Sequence, residues 1–178
     1  MIMARLNKAF WIWGEFSSID TDYLIEIQNQ VQKELRGPKF TIHLTLAGPF
    51  DEITQSSIDG IGAYCTQNSP IEVKIIKYDY KEKFFQAFFI AVSQSKKLNG
   101  LRNAMFKINH QKPTPQYLPH ISLAYGDYKK TVKEKLITSL PSLKNSIVID
   151  KVSIIDIGEN MNLWKASQYF PFSTSSLV

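Results

Sequence analysis

The sequence predicts an α+β fold of two pseudo-equivalent lobes, with two antiparallel sheets facing a central cleft and the helices outside. First, the strand-like pentapeptide His43–Ala47 recurs as His120–Ala124, seventy-seven residues later. Second, short runs of alternating apolar residues are interspersed with runs at helical spacing. Third, each pentapeptide follows a predicted helix at a matching place in its half, and no Pro- or Ser-rich linker separates the halves. We therefore expect both lobes to share one core.

Local signals place the individual elements. Asp20 or Thr21 offers an N-cap for the first helix, and Gly37-Pro38 ends it. Pro119 stands at the first position of its strand, where a missing N–H is tolerated. The predicted strands cover residues 10–13, 40–47, 71–80, 84–92, 119–125, 147–157 and 163–170, and the predicted helices cover 20–35, 55–66, 95–108 and 129–140. Residues 1–178 are expected to form a single bilobal domain with a flexible tail from about residue 173.

Composition restricts the class of protein. The chain has 178 residues, 44% of them hydrophobic, which is ample for one globular core. No apolar run reaches the roughly 18 residues of a membrane span, and no signal peptide is recognisable. The single Cys65 cannot form an internal disulfide. We therefore expect a cytoplasmic monomer without membrane contact. The net charge of +5 favours anionic partners.

The repeated pentapeptide is the main candidate for a functional site. Because side chains of a strand alternate between its faces, His43 and Thr45 point one way while Leu44 and its apolar neighbours point into a core. One such strand is weak evidence, because an isolated histidine is more often structural. Two copies in the same apolar frame predict a symmetric site. The third histidine, His110, lacks both the apolar neighbours of the motif and a hydroxyl two residues later, so we interpret it as structural.

The two motifs suit phosphate chemistry. Two imidazoles on opposite sides of one phosphorus suffice for in-line displacement, one taking the proton of the attacking water and the other protonating the departing oxygen. Thr45 and Ser122 can hydrogen-bond the non-bridging oxygens. The chain lacks His-Glu-x-x-His, His-x-His and Cys-x-x-Cys pairs, so no metal site is expected. It also lacks a Gly-x-x-x-x-Gly-Lys-Ser/Thr phosphate loop.

These motifs resemble those of the two-histidine phosphoesterases, whose hallmark is a pair of His-x-Thr/Ser sequences in a bilobal fold. Similarity over residues 9–13, 84–90 and 117–126 favours the cyclic phosphodiesterase branch. The resemblance implies hydrolysis of 2′,3′-cyclic nucleotides to 2′-phosphates, or opening of ADP-ribose 1″,2″-cyclic phosphate, without a metal or cofactor. The expected partners are therefore a small cyclic phosphate or a short nucleotide.

The resemblance also implies roles for the motif residues. His43 and His120 would transfer protons, and Thr45 and Ser122 would bind the phosphate. His120 is the expected base and His43 the expected acid, while the near-symmetry of the motifs leaves the opposite assignment open.

Three aromatic residues are further candidates for substrate binding. Tyr125 matches a family aromatic beside the substrate. Strict alternation turns it away from His120, so this role requires a bend in the strand before Gly126. Trp13 and Phe85 are candidates for covering a base or ribose.

Two alternatives remain open at this point. A close enzymatic variant acts on oligonucleotides, such as 2′,5′-linked oligoadenylate or RNA ends, which the basic charge favours. A different class is an RNA-binding α+β module without catalysis, in which Phe84, Phe85, Phe88 and Phe89 stack on bases. The Lys/Arg-Gly-Phe/Tyr pattern of an RNA-recognition strand is absent, which counts against this alternative.

Overall fold

The computed structural model describes residues 9–158 and 164–174. Within these ranges it contains seven strands, four α-helices and a short 3₁₀ turn at Phe84–Gln86. The strands are β1 (Ala9–Phe16), β2 (Leu44–Phe50), β3 (Ile71–Asp79), β4 (Phe88–Val92), β5 (His120–Ala124), β6 (Ser146–Ile157) and β7 (Lys165–Pro171). The helices are α1 (Ser18–Glu34), α2 (Gln55–Gln67), α3 (Lys96–Ile108) and α4 (Lys130–Ser139). The predicted order of elements is therefore confirmed.

Hydroxyl side chains cap the first three helices. Ser17, Thr54 and Ser95 each accept a hydrogen bond from the backbone N–H three residues on, as N-cap residues do. The first helix therefore begins earlier than the sequence predicted. Asp20, the expected cap, instead accepts a hydrogen bond from the Val148 N–H and pairs with the Lys144 ammonium.

The seven strands form one sheet, in the order β1-β2-β5-β4-β3-β6-β7, and every pairing is antiparallel. An additional β1–β6 pairing closes the first six strands of this order into a ring. The α+β class is confirmed, but the two expected sheets are joined. The join between β2 and β5 is narrow, since Leu44 and Ile121 are its one paired position in the described chain. This narrow join lies between the two histidine strands, and the pairing of β3 with β6 joins the two lobes on the other side of the ring.

The core lies on the helix-covered face of the sheet. Helix α1 packs against β5, and α3 packs against β2, so each helix covers the histidine strand of the opposite lobe. Apolar residues of both helices and both strands belong to one buried cluster, as expected for a shared core. Its members include Leu24, Ile27 and Val31 of α1, Leu98, Leu101 and Met105 of α3, Leu44 and Leu46 of β2, and Ile121 and Leu123 of β5.

Some expectations concern the chain ends and the surface. The Ser173 N–H donates to the carbonyls of Cys65 and Asn68, whereas most of the expected tail lies outside the described residues. None of the described helices is long and apolar enough to span a bilayer. The single domain, the monomer and the cytoplasmic location stay predictions.

Candidate active site

The four motif side chains meet at the narrow join between the lobes. Leu44 of β2 pairs with Ile121 of β5. Extending this antiparallel register by one residue in each direction places His43 opposite Ser122 and Thr45 opposite His120. Residues directly opposite each other in an antiparallel pair lie on the same face. The pseudo-twofold axis therefore passes between Leu44 and Ile121, and each imidazole lies across from the other motif's hydroxyl.

Both imidazoles are oriented in the same way. The Nδ1 of His43 lies 2.7 Å from the Thr41 carbonyl oxygen, and the Nδ1 of His120 lies 2.7 Å from the Leu118 carbonyl oxygen. Because a carbonyl oxygen only accepts, each Nδ1 carries the hydrogen. Each neutral ring therefore has its lone pair on Nε2, where it can accept a proton.

The hydrogen bond at His43 also explains why strand β2 begins later than the sequence predicts. The sequence predicts strand from residue 40, but β2 begins at Leu44. The Thr41 carbonyl accepts from the His43 ring rather than from a neighbouring strand. The histidine thus stands just before the strand.

An aromatic ring from the neighbouring strand supports each histidine. Trp13 of β1 pairs with Thr45 and stacks on the His43 ring, with centroids 3.4 Å apart and planes 5° apart. Phe89 of β4 pairs with Ser122 and meets the His120 ring edge to face at 5.1 Å. Stacking and the Nδ1 hydrogen bond together fix the direction of each ring. Sequence reasoning missed the support of a histidine by Phe89, because no local pattern indicates it.

Burial keeps the imidazoles neutral. Desolvation, together with repulsion from a protonated His120, lowers the pKa of His43 to about 3, although the hydrogen bond to the Thr41 carbonyl acts in the opposite direction. Desolvation also lowers the pKa of His120, and the Lys81 ammonium adds to this effect. His43 is buried, whereas His120 is half-buried. In the free protein both rings are therefore neutral and able to accept a proton, and His43 is protonated less readily than His120.

A β-bulge places Tyr125 in the pocket. In the pairing of β5 with β4, Ala124 lies opposite Phe88 and Ser122 opposite Phe89, so Leu123 is an extra residue. One extra residue reverses the face used by the residues that follow. Tyr125 therefore lines the same pocket as Ser122, whose hydroxyl donates to the Phe85 carbonyl at 3.4 Å. This bulge is the bend that the sequence interpretation required before Gly126.

The Tyr125 phenol is a neutral hydrogen-bond donor. Burial raises its pKa to about 12, so it keeps its proton at neutral pH. The Tyr125 ring stacks on Phe40, with centroids 3.9 Å apart, and meets Phe85 edge to face at 5.3 Å. Phe40 also contacts His43 at 6.5 Å, which sequence reasoning missed. These rings hold the phenol beside the Ser122 hydroxyl.

All seven predicted site residues line one cavity of about 270 Å³. The lining residues are Trp11, Trp13, His43, Thr45, Phe85, Gln86, His120, Ser122, Tyr125, Ile157 and Trp164. Sequence reasoning missed four of them, although Trp11 follows from alternation, since it lies two residues before Trp13 on the same strand. Gln86, Ile157 and Trp164 line the cavity because the fold brings them there, which no local sequence pattern indicates. His110, in contrast, is exposed at the end of α3, as expected.

The described residues contain no group of three or more His, Cys, Asp or Glu side chains that could hold a metal ion. The donors that line the cavity are imidazoles, hydroxyls, an amide and indoles. Such a set suits an anion that accepts hydrogen bonds.

The symmetry breaks at the fifth residue after each histidine, which is Tyr125 in one lobe and Gly48 in the other. Leu46 is an extra residue in the pairing of β2 with β1, as Leu123 is an extra residue in the pairing of β5 with β4. Gly48 has φ of +126°, and a Cβ added there would lie 2.9 Å from the ring of Trp11. The glycine thus makes room for an indole where the other lobe has a phenol.

Replacing Gly48 by alanine is expected to destabilise the protein by about 1–3 kcal/mol, because its φ suits glycine and the methyl group collides with Trp11. Urea unfolding measures the effect. The matched control is Gly100→Ala in α3, where the added Cβ meets no atom within 4 Å. This control is expected to stabilise the protein by about 0.5–1 kcal/mol. Equal effects of the two variants would contradict the assigned role of Gly48.

A twice-repeated His-x-Thr/Ser strand, folded about a pseudo-twofold axis into one cleft, defines a two-histidine phosphoesterase. A family model described as the 2'-5' RNA ligase superfamily matches residues 25–160. The chain belongs to this superfamily. A search of curated protein sequences found no match.

Solved structures with the same fold cover nearly the whole chain. TT0787 of Thermus thermophilus is 14% identical with a TM-score of 0.64, over 92% of this chain and 97% of that chain. E. coli LigT complexed with 3'-AMP is 11% identical with a TM-score of 0.62, over 93% of this chain and 98% of that chain. E. coli LigT complexed with ATP is 12% identical with a TM-score of 0.57, over 93% of this chain and 98% of that chain. At these identities the likeness establishes the fold alone.

Proposed function

We propose that the protein is a phosphodiesterase that hydrolyses 2′,3′-cyclic phosphates to 2′-phosphates by two-histidine acid–base catalysis, without a metal. The observation that carries this proposal is the matched pair of imidazoles, each anchored through Nδ1 and each across from a hydroxyl of the other motif. Among the described residues that line the cavity, no other pair offers an acid and a base on two sides of one bound group.

This geometry supports the following proton transfers, and the 2′-phosphate product is the one that the family resemblance implies. One neutral Nε2 takes a proton from water, and the water oxygen forms a bond to phosphorus. The opposite imidazolium donates its Nε2 proton to the 3′ oxygen as the bond from phosphorus to that oxygen breaks. The product is a 2′-phosphate with a free 3′ hydroxyl, and the two histidines have exchanged protonation states.

Hydroxyl groups hold the charge on phosphorus. Thr45 and Ser122 flank the anion from the two lobes, and the protonated Tyr125 phenol provides a third donor beside Ser122. Donors already fixed in place stabilise the negative charge of the transition state without reorganisation. The Tyr117 hydroxyl donates to the Thr45 carbonyl at 3.0 Å, which holds the backbone of β2 in position.

Burial favours His43 as the base and His120 as the acid, the reverse of the assignment expected from sequence. His43 is more deeply buried, and its pKa of about 3 keeps it neutral. His120 is more exposed and takes up a proton more readily when an anion binds. The protonated member of the pair at the start of the reaction is therefore His120.

Aromatic side chains form a wall suited to a nucleoside. Trp11, Trp13, Phe85 and Trp164 line the cavity next to the motif residues. Base stacking on such rings is worth about 1–3 kcal/mol per base and tolerates any base. The complexes of E. coli LigT with 3'-AMP and ATP support a nucleotide ligand. Phe88 and Phe89, in contrast, are buried, which disfavours the alternative of an RNA-binding module that uses their rings.

The proposal is tested with a substrate panel in excess EDTA. The panel contains 2′,3′-cyclic mononucleotides, ADP-ribose 1″,2″-cyclic phosphate and 2′,5′-linked oligoadenylate. Hydrolysis of a cyclic phosphate in the presence of chelator is the expected result. Activity that appears only after a divalent ion is added would contradict the metal-free mechanism.

The pH dependence of catalysis follows from the lowered pKa values. The reaction needs one protonated and one neutral imidazole. Because burial lowers both pKa values, both imidazoles are neutral in most of the free enzyme at pH 7. We therefore expect kcat/KM to rise as the pH falls, with a maximum below the ordinary imidazole pKa of about 6.5. A bound anion raises both pKa values, so the maximum of kcat lies at higher pH. A maximum of kcat/KM above pH 7 would contradict the proposed protonation states.

A further inference from the structure

Helix α4 contains a buried cation that has no part in the proposed mechanism. This residue, Lys133, is 2% exposed. In the described part of the chain, no carboxylate lies within 4 Å of its ammonium group. Removing an ammonium group from water is costly unless hydrogen bonds or charges compensate for the lost hydration. The contacts that this ammonium group makes therefore indicate its role.

The Lys133 ammonium contacts the connection between β3 and β4, residues 80–87, which we call the clamped segment. Nζ donates a hydrogen bond to the Lys81 carbonyl at 3.1 Å and lies 4.8 Å from the centroid of the Tyr80 ring. A hydrogen bond from a charged donor is roughly twice as strong as a neutral one, and a desolvated cation over an aromatic face adds to it. The Tyr80 hydroxyl donates to the Glu134 carboxylate at 3.0 Å. Two consecutive residues of α4 thus hold two consecutive residues of the segment.

The clamped segment is also bonded to the end of the second histidine strand. The Phe84 carbonyl accepts a hydrogen bond from the Gly126 N–H at 3.0 Å, and the Phe85 carbonyl accepts one from the Ser122 hydroxyl at 3.4 Å. The Phe85 ring meets the Tyr125 ring edge to face at 5.3 Å. The segment therefore connects α4 to the candidate active site.

Part of the cavity wall belongs to the clamped segment, since Phe85 and Gln86 line the cavity. The Gln86 carbonyl accepts a hydrogen bond from the Lys81 N–H at 2.9 Å, so the residue that Lys133 holds is bonded directly to a residue of the wall. The side chains of residues 81–83 are exposed, so their burial does not fix the segment. The hydrogen bonds that run from Lys133 through Lys81 to Gln86 therefore restrain this wall.

We propose that Lys133 is a positioning residue of the candidate active site. Its ammonium group fixes the clamped segment, and the segment places Phe85 and Gln86 against the nucleoside of the substrate. This inference rests on the proposed function. Because the rings of His43 and His120 are anchored by other carbonyls, loss of the clamp weakens substrate binding more than it slows proton transfer.

The kinetic test replaces Lys133 by methionine, which keeps an unbranched apolar side chain and removes the ammonium group. Replacing buried ionic groups by apolar ones of similar volume is often neutral or stabilising, so we expect the variant to fold. With adenosine 2′,3′-cyclic phosphate in EDTA, KM is expected to rise about tenfold while kcat changes less than about threefold, as when binding common to ground and transition states is lost. Lys133→Gln, which is uncharged and one atom shorter, is the second variant and carries the same expectation.

The matched control is Lys135→Met, which removes the same charge from an exposed lysine of the same helix. The control is expected to keep the native KM. A native KM in a folded Lys133 variant overturns the positioning role. An equal rise of KM in the control also overturns it, because loss of net charge alone would then explain the effect.

Amide hydrogen exchange tests the clamp without any substrate. In Lys133→Met, exchange of the Lys81 and Gly126 N–H groups is expected to accelerate at least about tenfold, because local opening of the segment breaks their hydrogen bonds. The Val92 N–H, which donates to the Pro119 carbonyl, is expected to exchange at the native rate. Native exchange rates at Lys81 and Gly126, or equal acceleration at Val92, overturn the clamp.

Failure of the proposed function is distinguishable from failure of this inference. If the native protein hydrolyses no cyclic phosphate, the proposed function fails, and hydrogen exchange alone then upholds or overturns the clamp. If the native protein is active and the Lys133 variants keep its KM, the proposed function stands and the positioning role fails.

Discussion

Replacing either motif histidine by asparagine is expected to lower kcat by at least about 100-fold, since one positioned acid or base contributes about 10²–10⁴ to a rate. Each variant removes the Nε2 that we propose exchanges a proton with the substrate, while asparagine keeps a polar group near the carbonyl of Thr41 or Leu118. Initial rates on a 2′,3′-cyclic nucleotide in EDTA measure the effect. The His43→Asn/His120→Asn double variant should be little worse than either single one, because the two groups act as a unit.

The third histidine provides the control for these variants. His110 is exposed and adopts φ of 55°, a conformation that asparagine tolerates well. His110→Asn is expected to retain native activity. Thermal unfolding of all three variants distinguishes an impaired proton transfer from an impaired fold. A folded His43→Asn or His120→Asn variant with near-native kcat would overturn the proposed mechanism.

Removing a motif hydroxyl is expected to have the second-largest effect. Thr45→Val and Ser122→Ala each delete one of the proposed donors to the phosphate, and loss of one such preorganised donor costs about 10²–10³ in kcat. Valine keeps the β-branched shape that suits β2. Because the donor acts on charge in the transition state, the loss should fall on kcat rather than on KM.

Thr41→Val is the matched control for the hydroxyl variants. Thr41 is exposed two residues before His43, and its side chain does not line the cavity. Its backbone carbonyl, which holds the His43 ring, is unaffected by the substitution. Near-native kcat is therefore expected. A loss equal to that of Thr45→Val would show that the effect is structural rather than due to a phosphate contact.

The sequence was informative wherever a local rule applied. Alternation in the repeated pentapeptide predicted that His43 and Thr45 share a face, and apolar residues at helical spacing, together with proline stops, placed the helices to within a few residues. The closing of the strands into a ring was not predictable in this way, because the β1–β6 pairing joins opposite ends of the chain. For the same reason Ile157 and Trp164 were missed as cavity residues.

The bulges show where strand alternation stops being a reliable guide. Strict alternation turned Tyr125 away from the site, and only the extra residue at Leu123 brings it back. A bulge depends on the partner strand, so one strand's sequence does not reveal it. The pairing of Leu44 with Ile121, which brings the two motifs together, is likewise a long-range contact.

The most direct test of the two-histidine mechanism is hydrolysis of adenosine 2′,3′-cyclic phosphate in excess EDTA and ¹⁸O-labelled water, followed by ³¹P NMR. The mechanism predicts that the native protein forms the 2′-phosphate, carrying one labelled oxygen on phosphorus, and that His43→Asn and His120→Asn do not. No hydrolysis by the native protein, or the same product formed at the same rate by either histidine variant, would contradict it.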